Sequence, residues 1–155
     1  MTQQTLSAVT DLVHAVTVGA LGVFAGAMLT EAGVLVPYWR SLDADSFHAW
    51  YSANAARLLR FFGSVTWLAG VSALGWALLA NASGDGNRTW AAVTAGLMLS
   101  VVAMFPIYFK QANASFLAAP TSPKETARAL RRWATYHWLR AGISLGALAA
   151  AVAAL

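Results

Sequence analysis

Apolar residues run almost unbroken through four stretches of the chain, and the polar residues fall into the gaps between them. Residues 12–30 contain no Asp, Glu, Lys or Arg, and apolar character resumes after Glu31 until Pro37, Tyr38 and Trp39. Residues 61–84 are uncharged and end in the turn-forming run Asn81-Ala82-Ser83-Gly84-Asp85-Gly86-Asn87. Residues 89–109 are again uncharged and open beside Trp90, and residues 133–155 carry one charge, Arg140. A hydrocarbon core of ~30 Å takes about 20 apolar residues of helix, which satisfies its own backbone groups there. The pattern therefore predicts an all-α protein: a single integral membrane domain over 1–155, with spans at about 8–36, 58–81, 89–112 and 133–155 in a four-transmembrane-helix bundle.

The connecting stretches also read as helix. Asp43 and Asp45 precede the amphipathic run 47–60, so a helix starting near residue 44 continues without a breaker into the second span. Ser122-Pro123-Lys124-Glu125 has the form of a capping box with Pro at the first helical position. Helices two and four are thus expected to extend beyond the lipid. Lys and Arg are absent before Arg40, so the first stretch lacks the basic leader of a signal peptide and reads as a retained span.

Composition agrees: 59% of residues are hydrophobic and 10% charged, against roughly 25% charged in a soluble domain. Cysteine is absent, which excludes disulfides and thiolate metal sites. The formal charge of +4 is no nucleic-acid footprint, because the basic residues follow the loops. Arg40, Arg57, Arg60, Lys110, Lys124, Arg128, Arg131, Arg132 and Arg140 belong to the end holding the first and third loops, and Arg88 alone to the other. Basic loops stay cytoplasmic. The expected site is the inner membrane, with both termini outside and loops 37–60 and 113–132 in the cytoplasm. Anionic lipid is then the partner of the basic end.

Ionisable groups inside a span are costly and call for a partner or a function. Glu31 lies ~9 Å inside the end of the first helix at 1.5 Å per residue, and His137 and Arg140 open the fourth. The two helices run in opposite directions, so these groups fall at similar depth. Trp133, His137, Arg140 and Ser144 share one helical face through spacings of three and four. His48 and Tyr51 share a face of the second helix, with Asn54 one turn on. The candidate catalytic set is His137, Arg140, His48, Glu31, Tyr51 and Asn54. His14 belongs to the opposite end.

These residue types allow three readings. Glu31, His48 and His137 have the composition of a two-His, one-carboxylate site for iron or copper. Without metal, an imidazole could remove a proton and Arg140 stabilise the oxyanion that forms. Glu31 and Arg140 could equally be a structural ion pair joining two helices in a non-catalytic subunit that binds a hydrophobic ligand or scaffolds partners. Gly22 and Gly26 form a small-xxx-small pair opposite Glu31, a tight-packing face that suits a homo-oligomer. Trp39, Trp50, Trp90 and Trp133 read as interfacial anchors, and Trp67 and Trp76 as lipid or core contacts. Nucleotide loops, the Ser-hydrolase elbow and the HExxH metal box are absent.

Three segments resemble the anthrone oxygenase-like family of small four-helix membrane proteins, a domain of unknown function. They are the first-helix end Gly26-Ala27-Met28-Leu29-Thr30-Glu31-Ala32-Gly33-Val34-Leu35-Val36-Pro37, then Phe47-His48-Ala49-Trp50-Tyr51, then Arg132-Trp133-Ala134-Thr135-Tyr136-His137-Trp138-Leu139-Arg140. Relatives carry a Pro-x-Asn near the end of the third helix; Pro106 and Asn113 stand apart here, so no role passes to Asn113. The resemblance implies oxygenation of an activated aromatic or polyketide-like carbon; the expected mechanism has a hydrophobic substrate and O2 reaching the site from the bilayer.

Overall fold

The computed structural model describes residues 2–118 and 122–155, which are helical almost throughout, with no strand among them. Four long helices carry the chain: α1, Gln3–Ser41; α2, Ala44–Ser83; α3, Arg88–Leu117; and α4, Pro123–Val152. By length and apolarity α1, α2 and α3 can each cross a membrane. The expectation that all four segments pass that test is corrected at α4, where His137, Arg140 and the neighbouring polar positions dilute the Ala, Leu and Gly of the helix.

The helix boundaries follow local chemistry. Asp43 caps α2, accepting from the Ser46 backbone N–H at 2.9 Å and the Ser46 hydroxyl at 2.8 Å. At its far end α2 stops on Gly84, whose φ of 68° is left-handed, a conformation open to Gly at little cost. At α4 the Ser122–Glu125 capping box is complete, with Pro123 in the first turn.

The helices pack in a ring: α1 lies against α2 and α4, and α3 against the same two. One half of the core is apolar and rich in small residues, with Ala69, Ala73, Ala147 and Ala151 around Phe24, Met28 and Trp76. Small side chains let backbones approach closely where lipid supplies no hydrophobic drive between helices. The other half is aromatic, built from Trp39, Phe47, Tyr51, Phe109, Phe116 and Trp133.

Two wide turns interrupt the rods at this aromatic end. In α1 the Val36 N–H reaches back to the Glu31 carbonyl, making a π-turn over Glu31–Leu35 just before Pro37. In α3 the Lys110 N–H reaches the Phe105 carbonyl, making another over Phe105–Phe109 around Pro106. Proline lacks an N–H and its ring collides with the carbonyl four residues back. Adding a residue to the turn relieves that collision and turns the following side chains to a new azimuth.

A reciprocal pair of histidine bonds ties α1 to α4. His14 of α1 donates from Nε2 to the Ala151 carbonyl at 2.8 Å, and His137 of α4 donates from Nε2 to the Met28 carbonyl at 2.9 Å. On each helix the histidine and the accepting carbonyl lie about four turns apart. The His14 ring stacks on Trp76 at 4.0 Å. His14 is thus at the opposite end from Glu31, as its sequence position requires.

The tryptophans divide differently from the sequence reading. Trp90 is exposed and Trp50 half-buried, as anchors would be, but Trp39 and Trp133 are buried in the aromatic core. Trp133 gains a hydrogen bond there, from Nε1 to Asn113 Oδ1 at 2.9 Å, which offsets the loss of its interfacial partner. Trp67 points outward and Trp76 inward. A Cβ added at Gly22 or Gly26 would meet nothing within 4 Å, so these glycines pack against no helix of their own chain.

The caps generate a pH prediction. Hydrogen bonds from Ser46 hold the Asp43 carboxyl below its ordinary range, and those from Ser122 do the same for Glu125. Because both folded values are depressed, the caps contribute fully above the unfolded carboxyl range near 4 and are lost as pH falls through the folded values. Carbon-13 shifts at residues 44–47 and 123–126 should lose helical character between about pH 5 and 2, while those at the middle of α3 stay unchanged.

Candidate functional site

Three of the predicted residues meet on one guanidinium. Arg140 reaches from α4 with a single nitrogen, Nη2, which donates to Glu31 Oε2 at 2.9 Å and to His137 Nδ1 at 2.8 Å. A carbonyl can only accept, so the bond to Met28 assigns the His137 proton to Nε2 and leaves Nδ1 as an acceptor. The 3.5 Å separation of His137 Nδ1 from Glu31 Oε2 is then that of two acceptors flanking one donor. His137 is fully buried and Glu31 nearly so.

The two π-turns aim at this same point. Glu31 opens the first, and Phe109 closes the second and lies beneath the Arg140 guanidinium at 4.3 Å from its ring centre. A desolvated cation over an aromatic face gains about 2 kcal/mol. Trp133 stacks on the His137 ring at 5.0 Å, and its own edge meets Phe109 at 5.4 Å. Groups from α1, α3 and α4 therefore converge on Arg140. Phe109 was not evident from the sequence, although the nearby Pro106 signals the irregular turn that presents it.

Of the remaining predicted residues, Tyr51 stands within electrostatic reach of Glu31, while His48 and Asn54 make bonds of their own away from it. His48 Nδ1 donates to the Phe116 carbonyl at 3.0 Å, and Nε2 lies 3.3 Å from Thr126 Oγ1, so this imidazole ties α2 to the end of α3 and the start of α4. Tyr51 is packed edge-on against Phe116 and Trp39. Asn54 donates to the Trp50 carbonyl of its own helix at 2.8 Å. Ser144 bonds the Arg140 carbonyl, also within its helix, at 2.7 Å.

The donor set for iron or copper is not assembled. Among the described residues no group of three His, Cys, Asp or Glu is placed to hold a metal ion. Both nitrogens of His137 and both of His48 are already engaged, in two different places. The residues present thus do not fit the two-His, one-carboxylate site that their composition suggests.

Two surface hollows flank the helices. One is lined by Gln3, Ser7, Asp11, Ser83 and Asp85, and the other by Arg40, Leu42, Ala44, Thr126, Leu130 and Arg131 among others. Glu31, His137 and Arg140 line neither. Two buried donors beside the cluster, Arg140 Nε and Trp39 Nε1, have no hydrogen-bond partner among the described residues. No family model, curated protein or solved structure matches the chain.

Breaking the cluster on one side leaves a charge buried without its counterpart, which costs about 3–5 kcal/mol. Arg140→Met alone should lower unfolding stability in detergent by that amount. Adding Glu31→Leu removes the stranded carboxylate and should recover most of the loss, as read in an SDS-titration unfolding series.

Proposed function

We propose that the chain is a four-span integral membrane protein in which Glu31, Arg140 and His137 lock the first span to the last, and that it works as a non-catalytic subunit binding a hydrophobic ligand or scaffolding partners. The observation that carries this reading is the engagement of both ring nitrogens of His137. His137 Nε2 is held by Met28, and Arg140 Nη2 donates to His137 Nδ1 and to Glu31 Oε2. Neither nitrogen of His137 is left to take a proton from a substrate.

The membrane part rests on three helices apolar enough to span, and on large side chains turned outward, among them Leu12, Val23, Trp67, Leu78 and Leu99. A soluble monomer rarely exposes apolar area so widely. α4, which is sheltered on one side by α1 and α3, supplies the fourth span with its polar stripe facing inward. At 40 residues α2 is ~60 Å long, about twice the hydrocarbon core, so it projects from the bilayer. The basic end is cytoplasmic and both termini lie outside.

A second reading, the oxygenase, is favoured by one observation: the buried Arg140 Nε and Trp39 Nε1 lack acceptors among the described residues. Orphan donors beside an imidazole would suit the oxyanion of an enolised aromatic substrate. Its base would have to be His137, released from Arg140 by local movement. Oxygen would enter as the co-substrate from the lipid.

Two measurements test these readings. The absence of Cys makes single-cysteine labelling clean: Gly86→Cys should react with an impermeant maleimide in intact cells, and Arg57→Cys only after lysis. The opposite pattern would invert the topology. Purified protein in lipid nanodiscs, given an anthrone in air, should consume O2 at the protein-free rate. Uptake several-fold faster, abolished in a His137→Ala protein that still folds, would replace the subunit reading with the oxygenase.

A further inference from the structure

At the basic end, the turn between α1 and α2 faces the first turns of α4 across a hollow of ≈ 170 Å³. Its lining is mixed: Leu42, Ala44, Pro123, Ala127 and Leu130 supply apolar surface, and Thr126 with two arginines, Arg40 and Arg131, polar surface. Neither guanidinium has a hydrogen bond or ion pair among the described residues. Among the described residues no carboxylate is ion-paired to either of them. Asp43 is spent on Ser46 and Glu125 on Ser122. Because those same acids cap the helix ends that open here, the attraction for an anion rests on the two arginines rather than on helix dipoles.

Two unpaired guanidiniums lining a hollow with apolar side chains beside them fit a ligand that joins an anionic head to an apolar stem. Guanidinium forks match phosphate oxygens in geometry as well as charge. We propose that this hollow binds a phosphate-bearing anion, in the bilayer the headgroup of an anionic phospholipid. The lipid as source rests on the membrane reading above. Tyr38, exposed two residues before Arg40 and set edge-on to Trp50, marks the level at which headgroups lie. His48, through Thr126, fixes the α4 wall of the hollow against the end of α3. That gives this imidazole a positioning role away from the Glu31 cluster.

The test uses the full chain in detergent, with bound lipid counted by native mass spectrometry during titration with phosphatidylglycerol or phosphatidylcholine. Phosphatidylglycerol should be retained selectively, and Arg40→Gln with Arg131→Gln should weaken it about 30-fold, the effect of two basic contacts at an anionic surface. Arg57→Gln with Arg60→Gln, which removes equal charge from the same end, should leave it unchanged. Equal losses in both pairs, or none in the first, would overturn the site. A parallel titration with inorganic phosphate separates the sources: displacement of the lipid supports the shared anion chemistry, and phosphate binding without lipid selectivity assigns the site to the free ion. If the Gln pair does not fold, Ala127→Trp fills the hollow while keeping both charges, and retained selectivity there would also overturn the proposal. Release of the chain from membranes by alkaline carbonate would defeat the bilayer reading by itself, leaving phosphate binding at Arg40 and Arg131 still measurable.

Discussion

A guanidinium removed from water must be surrounded, and in this chain the surroundings of Arg140 organise one end of the molecule. Its Nη2 needs two acceptors and receives them from different helices, Glu31 on α1 and His137 on α4. Its flat face needs a low-polarity partner with negative potential and receives Phe109 from α3. Each partner is delivered by a departure from regular helix or by a further bond. Glu31 and Phe109 sit in π-turns beside prolines, and His137 is fixed by the Met28 carbonyl. The kinks in α1 and α3 are therefore part of how the charge is housed.

The same seam is secured at its far end without any charge. His14 bonds Ala151 there while stacking on Trp76, in a region where most neighbours are alanines. Small residues alone would let α1 and α4 slide past one another, since their surfaces present few distinctive shapes. A polar bond at each end, pointing in opposite directions across the seam, fixes the register. This division of labour suits a protein in lipid, where close packing supplies affinity and a few hydrogen bonds supply specificity.

Much of this architecture was legible in the sequence, because long apolar runs and caps are local signals. The start of α2 near residue 44, its end at Gly84 and the Ser122–Glu125 cap on α4 all follow from residues within one turn of the boundary. The meeting of Glu31, His137 and Arg140 followed from depth and helix direction. What could not be read was azimuth. His48 lies at the same end but faces Phe116 and Thr126, while Phe47 and Tyr51 on either side of it turn toward Trp39 of α1. Trp39 and Trp133 have the composition of interfacial anchors, yet the aromatic cluster around Phe47 and Phe109 draws them inside. Proline positions were visible, but the direction in which a widened turn swings Phe109 depends on the neighbouring helix.

The account stands on the arrangement of bonds around His137. Solid-state nitrogen-15 NMR of the ring, in protein labelled at histidine and reconstituted in lipid, reads it directly, with His137→Phe assigning the signals. The proton should be found on Nε2, with Nδ1 bare and its shift moved in an Arg140→Met sample. A proton on Nδ1, or a ring whose signals ignore the loss of Arg140, would contradict the lock and return the imidazole to other chemistry.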